Sequence, residues 1–274
     1  MSPEVALQKR EQMIRDGFCI IDNILTDAFL QELRDESEQL LANYTQPEAT
    51  RYHGHHLQVT SKDNTLVQKL LEWQPTLNAL EEMGFGDFPV ARGITILTKD
   101  PGAPPLYWHQ DCYYWNDPIS CAPWPQHIFM KYYLTDTTPE NGCLKVIPGT
   151  HYRRIDLHDK LLYGSELGDV HQPGSESKEK YSVMFSDHPD QVDVCVKAGS
   201  LVMRDARLLH SVRKNDTDKR RTMLLVWIVR PNTIPDYWNH EILEPILNRE
   251  KNKDYPSSQI PNEFLDYSET ENKK

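Results

Sequence analysis

From Phe88 onward the sequence breaks into short β-prone runs: PVARGITILT, HIFMKYYLTD, CLKVIPG, VDVCVKAGSLVMR, RLLHSVRK and RTMLLVWIVR. Each is rich in β-branched and aromatic residues, and Pro, Gly, Asn and Asp punctuate the gaps. Helical runs do not alternate with these strands, so a doubly wound parallel sheet is excluded. The pattern predicts a mainly β fold, a sandwich or barrel, with helices packed on it. Asn141-Gly142 in PENGC predicts a tight hairpin turn, and KNDTDKR (214–220) predicts a second.

The helices come first in the chain. PEVALQKREQMIRDG has helix formers and stops at Gly17, a natural residue for the left-handed C-terminal cap. FCIID is a brief β run. Thr26 is placed to cap DAFLQELRDESEQLLANY, where Phe29, Leu30, Leu33, Leu40 and Leu41 recur at helical spacing. A further amphipathic helix is predicted in NTLVQKLLEWQPTLNALEEMG, broken near Pro75. The whole chain, 1–274, is expected to be one domain: a helical part over 1–87, a β core over 88–232 and a polar tail from about 249 to 274. Residues 163–181 are long and polar between strands, and the sequence leaves open a surface loop or an active-site lid.

Composition narrows the class. The 274 residues carry a formal net charge of -11, with acidic residues scattered, which argues against nonspecific nucleic-acid binding. Five cysteines without a CxxC make neither a disulfide framework nor a zinc finger. The opening residues lack an apolar signal core, and no run reaches the ~20 apolar residues of a membrane span. A cytoplasmic enzyme or binding protein with no membrane partner is the expectation.

YWHQDCYYW, Tyr107 to Trp115, sets a histidine and an aspartate two residues apart. On an extended strand, residues i and i+2 share a face, so His109 and Asp111 project together while Gln110 turns away. They supply two ligands of a two-histidine, one-carboxylate triad, the arrangement of non-haem Fe(II) oxygenases. The third ligand should be a histidine on an inward-facing strand. His210 fits: with the 214–220 turn centred on Asp216 and Thr217, Val212 pairs with Arg221 and His210 with Met223. All four then share a face, and Arg221 lies one step of two residues, roughly 7 Å, from His210. A five-carbon dicarboxylate chelating the metal at one end would reach that guanidinium with the other, and arginine is the side chain best shaped to grip it.

HQD, the eleven-residue step from His210 to Arg221 and the intervening TDTTPENGCLKVIPGTH together resemble the phytanoyl-CoA dioxygenase family of 2-oxoglutarate oxygenases. DGFCIIDNILTDAFLQEL is also similar to that family's N-terminus, so the resemblance runs from about Asp16 to Arg230. It implies a double-stranded β-helix (a jelly-roll, cupin-like core) and the cofactor set Fe(II), 2-oxoglutarate and O2. It further implies iron ligation by His109, Asp111 and His210, cosubstrate anchoring by Arg221, and contacts from Gln110 and Thr95. A carboxylate at Asp111, where halogenating relatives carry a small residue, implies hydroxylation or another oxidation of a small-molecule substrate. Two alternatives stand beside this: a cupin-like metal enzyme that ignores 2-oxoglutarate, and a sensor that binds metal or 2-oxoglutarate without turnover.

Other residues are open to plainer readings. RYHGHHLQ sets His53 and His55 two apart as a rival metal site, but with no evident carboxylate it fits a polar loop or a lining of the substrate pocket. Tyr113, Tyr114, Trp115 and Trp124 fit a substrate wall or a packed barrel mouth, and Arg230, Tyr237 and Trp238 a structural rim. Lys131, inside the strand FMKYYL, fits either a paired core lysine or a contact to cosubstrate or substrate. Arg92, Arg204 and Arg207 are the cations that would offset the acidic chain for an anionic substrate.

Overall fold

The structure, a computed structural model, describes residues 1–45, 54–111, 125–161 and 182–230. Helix α1 (Pro3–Asp16) is capped by Ser2 and ends at Gly17 with φ 81°, as its sequence predicts. Strand β1 (Phe18–Ile21) leads to α2 (Asp27–Ala42), whose N-terminus is capped by the Thr26 hydroxyl accepting from Phe29 N. After β2 (His56–Thr60), the predicted long helix is split into α3 (Thr65–Leu71) and α4 (Gln74–Glu82). Pro75 sits in the first turn of α4, where its missing N–H costs nothing.

The remaining strands are β3 (Gly93–Lys99), β4 (Leu106–His109), β5 (His127–Tyr133), β6 (Leu144–Val146), β7 (Val192–Val194), β8 (Leu201–Asp205), β9 (His210–Val212) and β10 (Arg221–Val229). They form two antiparallel sheets: six strands in the order β1-β8-β5-β10-β3-β2 and four in the order β4-β9-β6-β7. This is the jelly-roll core expected. β1 and β2, from the N-terminal part, are built into the large sheet beside the core strands.

Side-chain alternation assigns the faces. On β5, Ile128, Met130 and Tyr132 join the helical residues Phe29, Leu33, Val67 and Leu70 in the largest core. The alternate residues Phe129, Lys131 and Tyr133 therefore point between the sheets. There Phe18, Tyr133, Val146, Val194, Val202 and Met223 form a second core. A third packs Trp108, Ile147, Leu157, Leu161 and Leu209 over the outside of the small sheet.

Both predicted hairpins are corrected. β9 lies between β4 and β6, while β10 lies between β5 and β3, so Val212 does not pair with Arg221, nor His210 with Met223. Val212 faces Leu106 and Leu144; Arg221 faces Lys99. The turn crosses from one sheet to the other, and Asn215 holds the corner by donating to the carbonyls of Lys99 and Lys219, both at 2.8 Å. The Asn141-Gly142 turn does the same between β5 and β6, with Gly142 at φ 84°. Local turn chemistry specifies a reversal, and inter-sheet packing decides which strand receives it. Residues 163–181, the tail from 249, His53, Tyr113, Tyr114, Trp115, Trp124, Tyr237 and Trp238 lie outside the described residues.

Candidate active site

β4 and β9 are neighbours in the small sheet, and His109 faces His210 across them. Their rings are 4.0 Å apart, centroid to centroid. Asp111 follows just beyond the end of β4, its backbone N–H donating to the Ala206 carbonyl at 3.1 Å. Its carboxylate meets both rings: Oδ1 lies 3.5 Å from His109 Nε2 and Oδ2 3.3 Å from His210 Nε2. One nitrogen or oxygen from each of the three lies within 4.8 Å of the others, the only such metal-competent group among the described residues.

The histidines are oriented from behind. His109 Nδ1 is 2.8 Å from the Tyr107 carbonyl, and His210 Nδ1 is 3.1 Å from that of Leu208. Each carbonyl fixes the proton on Nδ1, leaving the Nε2 lone pairs aimed into the cluster. Burial, Arg204 and His109 hold His210 well below its ordinary pKa, so its ring stays neutral. Burial would push the Asp111 carboxyl up, but the charges facing it, Arg204 among them, hold it well below the usual range. Two imidazoles and one carboxylate are the donor set a divalent iron takes, so the residues fit the metal.

Arg204 is the part that sequence reasoning did not assign to the site. From β8 of the large sheet it reaches across to pair with Asp111 Oδ2, while its other amino group donates to the Asp205 carbonyl at 3.0 Å. The guanidinium is fully buried over the Phe129 ring, 4.5 Å from its centroid. The available signal was an arginine inside the apolar strand LVMRD, at an inward position by alternation with Val202. Arg207 is committed elsewhere, forming a buried bidentate pair with Asp205 at 2.9 and 2.7 Å. Neither arginine is thus a free offset for an anionic substrate.

Arg221 opens β10 at the far end of the same interior. It is 4% exposed, its Nε has no hydrogen-bond partner, and among the described residues it forms no ion pair. Burial lowers its pKa, with Tyr133, whose ring centroid is 5.8 Å from the guanidinium carbon, acting against that. Lys131 faces inward from β5, opposite Leu225 and Val202. It is buried and, among the described residues, has no hydrogen bond or ion pair. Burial drives its pKa well down, Arg204 and Arg221 add to this, and Asp111 opposes them. Its ammonium therefore stands in the field of both the Asp111 cluster and Arg221. Thr95, opposite Leu225 on the other side, is fully buried with Oγ1 unpartnered. A guanidinium, an ammonium and a hydroxyl left without partners inside an apolar sandwich are costly unless an anion fills the space between them.

Gln110 is placed differently. Its Nε2 donates to the Arg207 carbonyl, and its Oε1 has no partner. His55, the rival ligand, lies outside the cluster, against Thr98 at 3.2 Å and Asp100 at 3.4 Å. Arg230 pairs with Asp87 and covers Phe88, a structural role.

The comparisons with known proteins agree with this geometry. The model of the family described as phytanoyl-CoA dioxygenase (PhyH) matches residues 13–223. Ectoine dioxygenase of Nocardia farcinica is 24% identical over 257 residues, covering 84% of this chain and 80% of its own. L-proline trans-4-hydroxylase of Streptomyces griseoviridis is 25% identical over 254 residues, covering 85% and 88%. Among solved structures, the non-haem α-ketoglutarate-dependent epimerase SnoN from nogalamycin biosynthesis superposes with a TM-score of 0.58 at 18% identity, covering 93% of each chain. EctD from S. alaskensis superposes with a TM-score of 0.57 at 20% identity, covering 81% of this chain and 76% of that one. With the family matched from α1 into β10, the chain belongs to the phytanoyl-CoA dioxygenase (PhyH) family of Fe(II)- and 2-oxoglutarate-dependent dioxygenases.

Proposed function

We propose that His109, Asp111 and His210 hold the iron, that Arg221 binds the distal carboxylate of 2-oxoglutarate, and that the enzyme hydroxylates a small molecule. The observation that carries this reading is the pairing of a metal-competent cluster with a buried, unpartnered arginine facing the same interior. A dicarboxylate bridging them satisfies both ends at once. The relatives named for ectoine and proline support a small-molecule substrate.

When bound, the metal, with O2 and the keto acid, supplies the oxidising chemistry, and the keto acid leaves as succinate and CO2. The protein's part is positional. The carbonyls of Tyr107 and Leu208 keep the imidazoles in the ligating tautomer. Arg204 keeps Asp111 ionised and fixes which oxygen is free to turn toward the metal. Arg221, already stripped of water, forms charge-assisted hydrogen bonds that compete with no solvent. Lys131 adds a second positive charge beside the cosubstrate, and the Thr95 hydroxyl a hydrogen bond. The Gln110 amide donates to the Arg207 carbonyl, and we assign it to fixing the His109–Asp111 corner. Phe129, Met223 and Leu225 line the apolar interior that excludes water.

The test is anaerobic. Fe(II) and then 2-oxoglutarate are added to metal-free protein, and the weak visible charge-transfer band of a chelated keto acid is recorded. A band that needs both additions, and that Arg221→Ala moves to higher 2-oxoglutarate concentration, supports the reading. Tight metal binding with no band would leave HQD holding a metal for other chemistry.

A further inference from the structure

Among the described residues, β7 is the edge of the small sheet, a three-residue strand paired to β6 alone. The chain leading into it covers the outside of the site. Ser186 accepts from the indole of Trp108 at 2.8 Å, next to the ligand His109, and Asp187 takes the buried ammonium of Lys145 at 3.0 Å. Short edge strands open easily, so what fastens β7 also fastens this cover.

The β6–β7 register pairs Leu144 with Val194, Lys145 with Asp193 and Val146 with Val192. Carried one step past the end of β7, the same register sets Cys143 toward Cys195, whose own N–H turns back to the Asp193 carbonyl at 3.2 Å. Antiparallel partners have Cα atoms roughly 4.5–5.5 Å apart, inside the roughly 4.4–6.8 Å window of a disulfide. The thiols are close enough to interact directly. Both are free; Cys143 is buried and Cys195 exposed. The backbone is held on either side: Cys143 N–H donates to the Thr138 carbonyl at 3.1 Å, and its own carbonyl accepts from Arg213 at 2.9 Å. Beside Cys195, Val196 N–H donates to the Thr137 hydroxyl at 2.8 Å. Among the described residues, Cys19, buried in the helical core, has no such neighbour.

We infer that Cys143 and Cys195 are a modification site, closing to a reversible disulfide that ties the edge strand β7 to β6. A hydroperoxide is the class of oxidant. The exposed Cys195 sulfur attacks the peroxide, the O–O bond breaks, and a sulfenic acid forms with release of water or an alcohol. The Cys143 sulfur then attacks that sulfur, the S–O bond breaks, and the disulfide forms with release of water. The two thiols together lose two electrons and two protons. Burial raises both thiols, and Asp193 and Glu140 near Cys195 oppose Arg213, so closure is slow at neutral pH.

The experiment treats the full-length reduced protein with diamide, a thiol oxidant that avoids peroxide chemistry at bound metal. Intact mass and a peptide map are then read before and after dithiothreitol. The expected result is loss of two hydrogens, a Cys143–Cys195 cross-linked peptide, two fewer titratable thiols, and full return on reduction. Cys195→Ser, at an exposed position, should lose the cross-link entirely while Cys19→Ser keeps it. Cys195 paired with any other cysteine or between chains, or oxidised while Cys143 stays a thiol, would overturn the inference.

Discussion

Arg204 and Asp111 come from opposite sheets and meet at the metal cluster, the guanidinium closing on the one carboxylate oxygen that His210 also approaches. The pair is a bolt between the layers as well as a brace for a ligand. Without it, Asp111 is free to swing, and its charge loses its counter-ion. Arg204→Met should weaken metal binding about 10–100-fold, the usual cost of losing a group that orients a ligand. Competitive metal titration measures this; unchanged affinity would make the pair purely structural.

Arg221→Ala removes a desolvated partner from the far end of the pocket. The expected loss is about 100-fold in 2-oxoglutarate affinity, in line with breaking one side of a buried charge-assisted pair. Metal affinity should change by less than about 3-fold, since Arg221 touches no ligand. Calorimetry of metal and of 2-oxoglutarate separately distinguishes the two. His109→Ala and His210→Ala should show the reverse order and abolish turnover.

Lys131 costs stability while its pocket lacks an anion, because burial opposes its charge and no partner among the described residues offsets it. Lys131→Met, similar in length and apolar, should raise stability by about 1–3 kcal/mol in urea unfolding without cosubstrate. The same change should weaken 2-oxoglutarate binding about 10-fold. Lower stability with unaltered binding would return Lys131 to the role of a core lysine.

Lys99 sets a pH dependence. Burial, and then Arg221 opposite it, lower its pKa from 10.5 to about 7. The unfolded chain therefore holds a proton on this lysine that the folded chain releases above about pH 7. Stability should rise with pH from there, by at most about 1.4 kcal/mol per unit. Above pH 9 the raised thiol of Cys143 begins to oppose it, since the unfolded chain then loses that proton first. Lys99→Met should flatten the rise between pH 7 and pH 9 in chemical denaturation.

Asp205 and Arg207 lock the connection that delivers His210. Both side chains are 2% exposed or less, and Arg207 has its Nε and one amino group on the carboxylate. Asp205→Ala takes the bidentate carboxylate from a buried guanidinium and should cost about 3–5 kcal/mol. A cost below 1 kcal/mol would mean that Arg207 finds another acceptor.

By itself the sequence determined the strand-rich core, the helix caps at Gly17 and Thr26, the break before Pro75, and the three residues that meet as a metal-competent group. Each is written locally, in a cap residue, a proline, an apolar period or the i, i+2 rule that puts His109 and Asp111 on one side. Parity along a strand also placed His210 and Arg221 on inward faces, which survived although the hairpin argued for them does not form. Only the tertiary structure decided that β9 and β10 part into different sheets, because a turn fixes where the chain reverses and not which neighbour buries the strand. It alone joined Arg204 to Asp111 across the sandwich, set Cys143 toward Cys195, and left Arg221 and Lys131 without a hydrogen bond or ion pair among the described residues. Those relations depend on what lies opposite in space, and residues 93 or 52 positions apart carry no local sign of meeting.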